Sequence, residues 1–297
     1  MCIMGDPPAP ESGPNRSENP AGYSFAYRLR VAQLFDQRAV SGANSILPIR
    51  IVCGALVASF LLGAAPTADG PPWRRRAARA VEYMQKREGS VTFAVVAPSG
   101  RLYRHHARTN VPAASVLKVM FMVAYLRQKS VRNRRLRRAD KDLLRPMIRR
   151  SDNTTATTIA DRLGPKPMNR LSRRAGMKDF SYTRPWGLTT ISAQDQALFI
   201  SELERHIPKR HEGYARWLLA HIIKPQRWGV AKVTPSGWKL FFKSGWGSGT
   251  GRVGHQVAFL ERGDRRVALA ITTEFSPSHA YSKRTLRGVA ARLLRGL

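Results

Sequence analysis

The chain has 297 residues, enough for one large domain or two small ones, and carries 51 Lys and Arg residues against 19 Asp and Glu. Its two cysteines are Cys2 and Cys53. A domain that begins near Trp73 therefore contains no disulfide, no cysteine nucleophile and no thiolate metal site. The first 72 residues hold five basic and five acidic side chains, so the whole net charge of +32 lies in the remainder.

This positive charge leaves three interpretations open. The densest basic stretch is RQKSVRNRRLRR, at residues 127–138. Nucleic acid and an anionic cell envelope would both be attracted to such a surface. An arginine-rich composition would place the same charges on the surface without any partner.

The N-terminal region differs in kind from the rest. Residues 1–50 are rich in Pro, Gly, Ser and Asn, which predicts disorder. An apolar run then follows Arg50, and residues 51–68 are predicted to form a signal peptide or an uncleaved N-terminal anchor. Since the segment ahead of the run is long for a signal, one hypothesis starts translation later, near Val40. We expect an exported protein, extracellular or associated with the cell envelope, with its folded domain at 73–297.

The sequence of the domain predicts helices and strands in a definite order. Residues 71–89 have apolar side chains at helical spacing, and two alternating segments that follow predict a β-hairpin. A buried helix comes next, then a mostly helical stretch, three strands and a final amphipathic helix. In chain order these segments are 90–100 and 101–109, 112–126, 139–220, 237–245, 255–263, 264–276 and 282–297.

Strands at both ends of the domain, with helices between them, predict an α+β fold of the α/β sandwich kind. An antiparallel sheet would have one face covered by the terminal helices. The middle block would cover the other face and form an all-helical subdomain.

One serine and one lysine stand at the head of the buried helix. The run from Val116 to Leu126 is apolar on every side and too short to span a bilayer, so it is predicted to lie in the core. Ser115 falls in its first turn, and Lys118 lies one turn further on the same face. A half-buried lysine there can lose its proton and activate the serine hydroxyl. The alternative is that Ser115 caps the helix and Lys118 extends to solvent.

Two further motifs accompany this pair. RRSDNTT contains Ser151–Asn153, and FFKSGWGSGTG contains Lys243–Gly245. With Ser115 and Lys118, their order and chemistry resemble the serine penicillin-recognising enzymes, the class A β-lactamases and the related D-alanyl-D-alanine peptidases. The resemblance covers about residues 75–297. It implies a β-lactamase/transpeptidase-like fold and an acyl-enzyme, with no metal and no cofactor.

The resemblance also implies catalytic roles. Ser115 would attack the carbonyl, and Lys118 would be the base. Ser151 would relay a proton to the leaving nitrogen. Asn153 would hold Lys118 and a substrate amide. Lys243 would be one of the cationic neighbours that lower the pKa of Lys118.

Substrate binding is implied for the strand motif. Lys243 and Ser244 would bind the substrate carboxylate. Gly245 would leave room for substrate along the strand edge. The backbone N–H groups of Ser115 and Trp246 would form the oxyanion hole.

The chain departs from the class A pattern at one important place. Those enzymes use a glutamate in the loop that precedes the segment matched by residues 187–200. No glutamate occurs here between Arg149 and Ser201. Asp179 is the only carboxylate of residues 176–187, and its reach is shorter. The departure favours an acyl-enzyme that is resolved slowly, or passed to water or an amine, over efficient β-lactam hydrolysis.

Other polar residues have simpler interpretations. Asp152 is expected to bond backbone amides of its own loop, and Thr190 or Ser192 to cap the following helix. His105 and His106 are adjacent on a predicted strand, so they should point to opposite faces and share no metal.

The predicted function is that of a monomeric serine hydrolase acting on β-lactams or peptidoglycan stem peptides. β-Lactamase and D-Ala-D-Ala peptidase activity both stay open. The alternative is a non-catalytic module on the same fold that binds cell wall or polyanions. The missing glutamate fits that alternative, whereas retention of the motif serines and lysines argues against it. Nucleic acid is not the expected partner, because an export segment precedes the basic domain.

Overall fold

The structure, a computed structural model, describes residues 70–247, 249 and 251–297. The predictions of disorder at 1–50 and of a signal or anchor at 51–68 lie outside the described residues. The helices are α1 (Gly70–Gln85), α2 (Lys118–Leu126), α3 (Lys129–Arg132), α4 (Arg138–Arg149), α5 (Asn153–Leu163), α6 (Pro165–Arg174), α7 (Ala193–Ser201), α8 (Glu212–Ala220) and α9 (His279–Leu293). The strands are β1 (Ser90–Val96), β2 (Leu102–His105), β3 (Val111–Pro112), β4 (Thr190–Ile191), β5 (Lys239–Gly247), β6 (Val253–Arg262) and β7 (Arg265–Glu274).

Five strands form one antiparallel sheet in the order β2-β1-β7-β6-β5. The predicted hairpin is confirmed as β1 and β2, and the three predicted C-terminal strands are β5, β6 and β7. Strands β3 and β4 pair separately, with Val111 opposite Ile191. The sequence did not predict these two strands because a two-residue strand has no readable alternation.

The sheet is covered on both faces. Helices α1 and α9 pack against each other, and α9 lies on β6 and β7, whereas α7 contacts β7, β1 and β6. Neighbouring residues of β6 show the two sides: a Cβ atom on Gly254 would meet Ser282 of α9, while the ring of His255 bonds the carbonyl of Pro112. The predicted α+β architecture is confirmed. None of the helices within the described residues has the length and apolarity that crossing a membrane requires.

Helix α2 is the centre of the helical block. All nine of its residues are buried, as its unbroken apolar sequence predicts. Ser115 lies just ahead of it, in the 3-10 turn Ala114–Leu117 rather than in a first α-helical turn. This turn packs against β5, the edge strand of the sheet, so the fold brings the serine to the sheet edge.

Candidate active site

Ser115 is presented by a strained turn. The preceding Ala114 has a left-handed backbone with φ of 44°, a conformation that costs a residue with a side chain of order 1 kcal/mol or more. The N-cap positions of this turn and of α2 are Ala113 and Leu117, so Ser115 caps neither. No partner for its hydroxyl lies within hydrogen-bond distance among the described residues. The capping alternative is therefore wrong, and the hydroxyl is free to meet a ligand.

Lys118 does not extend to solvent. Its side chain is fully buried. Its Nζ donates to the carbonyl oxygen of Ser151 at 2.6 Å and to Oδ1 of Asn153 at 2.7 Å, and it reaches Oγ of Ser151 at 3.4 Å. The ring of Trp186 covers the amine, with its centroid 5.1 Å from Nζ. The amine is thus enclosed by the second motif on one side and by Trp186 on another.

Burial lowers the pKa of Lys118 to about 7, while the charge of Asp152 opposes the shift. Desolvation, which is expected of a half-buried lysine, accounts for this shift, whereas the effect expected of cationic neighbours is not found. Near neutral pH a large share of Lys118 is uncharged. A neutral amine has two protons, which suit the two strong acceptors on Ser151 and Asn153, and one lone pair that remains available.

The second motif forms the junction between α4 and α5. Ser151 also has a left-handed backbone, with φ of 61°, and strain of this kind concentrates at functional sites. Asp152 is the N-cap of α5: its Oδ1 accepts from the backbone N–H of Thr155 at 2.7 Å. This bond confirms that Asp152 stabilises its own loop. The cap fixes the start of α5 and so places Asn153 against Lys118.

Lys243 enters the same cluster from β5. Its Nζ donates to Oγ of Ser151 at 2.8 Å and to the carbonyl oxygen of Ser244 at 2.7 Å. Burial, and then the charge of Lys118, hold the pKa of Lys243 well below its ordinary value. We call Lys118 and Lys243 the lysine pair. It is bridged by one hydroxyl, and two full positive charges in this space are unfavourable.

Ser244 is placed differently from its neighbours in the motif. Its side chain is buried, and its Oγ accepts from Nε2 of Gln256 at 2.9 Å. Gln256 also bonds the carbonyl of Trp228 and the N–H of Val230 at 2.8 Å each. In this structure the Ser244 hydroxyl is therefore part of the support behind β5. Sequence reasoning missed Gln256, although a glutamine inside the apolar strand HQVAFLERG was a readable signal.

Gly245 brings β5 directly onto the serine turn. A Cβ atom at Gly245 would lie 2.8 Å from the backbone nitrogens of Ser115 and Val116. Only a glycine allows the strand to approach this closely. The next residue, Trp246, has its side chain half exposed and 4.6 Å from the ring of His279. The backbone groups predicted to form an oxyanion hole thus belong to two segments in direct contact.

The only carboxylate of the loop at 176–187 is already engaged. Oδ1 of Asp179 forms an ion pair with Arg108 at 2.7 Å. Its backbone N–H donates to Oδ2 of Asp195, in the first turn of α7, at 2.7 Å. The helix is capped by Ser192, as predicted, through a bond to the Asp195 N–H. Asp179 therefore fastens the loop to α7.

The two adjacent histidines correct one prediction. Strand β2 ends at His105, and His106 has a left-handed backbone with φ of 46°. Strand alternation therefore fails, and the two rings lie 4.1 Å apart instead of on opposite faces. Among the residues that the structure describes, no three His, Cys, Asp or Glu side chains are placed to hold a metal ion.

The comparisons with known proteins agree with this arrangement. The family model described as the beta-lactamase enzyme family matches residues 136–297, more than half of the chain. A comparison with curated proteins found no match.

Three solved structures illustrate the shared fold. The β-lactamase from Sphaerobacter thermophilus has 23% identity and a TM-score of 0.65, covering 75% of this chain and 97% of its own. The β-lactamase from Xanthomonas campestris pv. campestris has 16% identity and a TM-score of 0.64, covering 73% and 96%. The class A β-lactamase from Mycobacterium abscessus has 19% identity and a TM-score of 0.62, covering 74% and 98%.

The solved structures share the fold of this chain. The family match confirms the expected relation to the penicillin-recognising serine enzymes and supports a hydrolase. The chain belongs to the beta-lactamase enzyme family.

Proposed function

We propose that the protein forms an acyl-enzyme on Ser115 with β-lactams or D-alanyl-D-alanine-type amides. The observation that carries the proposal is the enclosure of Lys118, whose buried amine is held by Ser151 and Asn153 one turn beyond Ser115. With a pKa of about 7, roughly half of it is neutral at pH 7. An ordinary lysine would be neutral in fewer than about one molecule in a thousand at that pH.

The proposed reaction uses Ser115, Lys118 and Ser151 in turn. The Ser115 hydroxyl adds to the substrate carbonyl and gives its proton to the lone pair of Lys118. The C–N bond then breaks, and the leaving nitrogen receives a proton through the hydroxyl of Ser151, which both lysines contact. The acyl group remains on Ser115 as an ester. The backbone amides of Ser115 and Trp246 stabilise the oxyanion of the tetrahedral intermediate that precedes C–N cleavage.

An anionic substrate fits the lysine pair. A substrate carboxylate near Lys243 would stabilise the positive charge on that amine. A charged Lys243 in turn favours the neutral form of Lys118, because the two amines share Ser151. Binding of the anion would therefore prepare the base. With the Ser244 hydroxyl held by Gln256, the carboxylate would be bound mainly by Lys243 unless Ser244 turns on binding.

The second half of the reaction is expected to be slow. The loop that supplies a glutamate in class A β-lactamases has none here, and Asp179 is held by Arg108. We therefore favour a peptidase-like enzyme that accepts a cell-wall stem peptide and is trapped by β-lactams. The proposal places the protein at the cell envelope after export, as a monomer. N-terminal sequencing of the native product tests the export segment: a peptide from residues 5–30 would contradict the later translation start.

The mass of the full-length protein, followed over time with a fluorescent penicillin and a chromogenic cephalosporin, tests the proposal. We expect an adduct on Ser115 whose lifetime is many times longer than the time it takes to form. Ser115→Ala should give no adduct. The matched control Ser236→Ala, at an exposed serine, should react like the parent.

Each outcome separates one candidate from the others. Rapid turnover that requires Ser115 would identify a β-lactamase with a deacylating base outside the class A position. Release of D-alanine from a D-Ala-D-Ala peptide, together with a persistent penicillin adduct, would identify the peptidase. No adduct from any of these reagents would favour the non-catalytic binding module, which the missing glutamate supports.

A further inference from the structure

A cavity lies away from the lysine pair, between the C-terminal end of α2, helix α3 and helix α6. Its volume is about 710 Å³. The ten residues that line it include six cations and no carboxylate. We call it the cationic groove, and its basic side chains are Arg127, Lys129, Arg132, Arg170, Arg173 and Arg174.

In the part of the chain that the structure describes, no carboxylate pairs with the positive charges of this groove. Some half-buried arginines of the domain pair with acids, as Arg134 does with Asp140 at 2.6 Å. Within the described residues, no ion pair includes any of the six groove cations. Convergence of two helical segments on one unpaired cluster indicates a site for an external anion.

Arg127 shows the cost of this arrangement most clearly. It is partly buried, and its Nη1 donates to the backbone carbonyl of His206 at 3.0 Å. Burial, followed by the charges of Arg174 and Arg132, lowers its pKa. An anion bound between these side chains would offset both the burial and the repulsion.

Helix dipoles explain only part of the pattern. Arg173 and Arg174 lie in the last turn of α6, where a helix favours cations. Arg170 lies in the middle of α6, so it gains nothing from a helix C-terminus. The dipole effect also gives no reason for cations of α3 and α6 to face the same cavity.

The lining limits the kind of anion. Its uncharged residues are Ala124, Gln128, Pro167 and Leu171, and no aromatic ring is among them. Single-stranded nucleic acid is usually held by stacking of bases on such rings. The cavity is concave, whereas a bilayer presents a flat surface. A narrow chain with closely spaced charges and no bases fits best.

We propose that the cationic groove binds a linear polymer of phosphate groups. The groove and the lysine pair lie toward opposite ends of α2, a helix of nine residues and thus about 13 Å long. A bound polymer would therefore hold the protein and leave Ser115 accessible. This proposal is independent of the acyl-enzyme, because none of its residues belongs to the candidate active site.

Binding of short-chain inorganic polyphosphate and of poly(glycerol phosphate) to the full-length protein tests the groove, by calorimetry over a series of salt concentrations. The variant Arg132→Gln/Arg170→Gln/Arg174→Gln removes three exposed charges from both walls. We expect it to bind about tenfold more weakly or worse, and to lower the salt slope by about two. The matched control Arg74→Gln/Arg75→Gln/Arg262→Gln has the same net charge and changes only exposed residues outside the groove. It should bind within about twofold of the parent.

The two probes identify the source of the phosphate: preference for one of them assigns an inorganic chain or a glycerol-phosphate chain, and either supports the proposal. Equal weakening of both variants would overturn it, since the effect would then be one of net charge. No binding of either polymer at low salt would overturn it as well. So would a single-stranded DNA that binds more tightly than both polymers and is lost in the groove variant. Unchanged circular dichroism and unchanged penicillin acylation of the variant would show that its fold is intact.

Discussion

Two clusters of this domain each hold a pair of cationic side chains, and only one of them is balanced by carboxylates. In the arginine cluster, each guanidinium binds both carboxylates, in a closed square formed by Arg216, Arg266, Glu204 and Glu261. In the lysine pair, the amines contact a hydroxyl, an amide oxygen and carbonyl oxygens, and neither bonds a carboxylate of the residues that the structure describes. The two clusters are therefore expected to behave in opposite ways.

Their protonation follows this difference. Burial alone would raise the pKa of Glu204, but hydrogen bonds from Arg266 and Arg216 overcome it and hold the pKa below its ordinary value. All four groups of the arginine cluster then stay charged at neutral pH. In the lysine pair, burial has no opposing carboxylate in contact, so the pKa of Lys118 falls to about 7. A balanced cluster serves stability, whereas an unbalanced one can give up a proton and serve chemistry.

Replacement of Lys118 by Met is the strongest way to break this comparison. We expect the acylation rate to fall by about 10²–10⁴-fold, because the base is lost. The free energy of unfolding should stay the same or rise, since the variant no longer buries an amine. Stopped-flow acylation and urea unfolding measure the two effects. A large loss of stability with retained acylation would show that Lys118 has a structural role.

Gly245→Ala tests the contact between β5 and the serine turn. Its Cβ would fall 2.8 Å from two backbone nitrogens, so the strand or the turn must move. We expect acylation to fall by about 10²-fold and stability by about 1–3 kcal/mol. Gly213→Ala is the matched control, because that glycine lies in α8 with open space around it. The control should gain up to about 1 kcal/mol in stability and keep its acylation rate.

Glu204→Gln sharpens the other side of the comparison. Removing one carboxylate leaves two partly buried guanidiniums short of a partner, and the free energy of unfolding should fall by about 2–3 kcal/mol. Acylation should be unchanged in the folded variant. Glu202→Gln breaks an exposed pair with Arg205 and should cost less than about 0.5 kcal/mol. Equal effects in both variants would remove the distinction between a buried cluster and a surface pair.

Asp152 should give the smallest effect. Its charge raises the pKa of Lys118, so its removal should move the pH midpoint of acylation downward. Asp152→Asn keeps a side chain that caps helices well, whereas Asp152→Ala should also lose about 0.5–2 kcal/mol of stability. Both variants should shift the midpoint in the same direction. A midpoint that moves in only the alanine variant would trace the shift to the fold of the loop.

The sequence predicted the parts of the site that depend on local pattern. The apolar run after Ser115 fixed a buried helix, and three short motifs in order identified the residues that meet around Ser151. The predictions that failed concern contacts between residues that are distant along the chain. Burial, rather than neighbouring charge, lowers the pKa of Lys118, and it depends on Ser151, Asn153 and Trp186, which come from two segments distant from Lys118 along the chain.

The position of the Ser244 hydroxyl could not be predicted from the sequence, because it also depends on a contact between distant residues. Gln256, which holds it, belongs to the neighbouring strand, and strand pairing is a long-range contact. The error at His105 and His106 has a local cause: a single left-handed residue ended the strand and cancelled its alternation. A pattern of alternation does not contain that information.

The pH dependence of the acylation rate of the full-length protein by a penicillin tests the central claim most directly. In the proposed reaction acylation requires the neutral amine of Lys118, so the rate should be low in acid, rise as pH increases through about 7, and level off above it. A midpoint near the ordinary lysine value of about 10, or a rate independent of pH between about 5 and 9, would contradict the account.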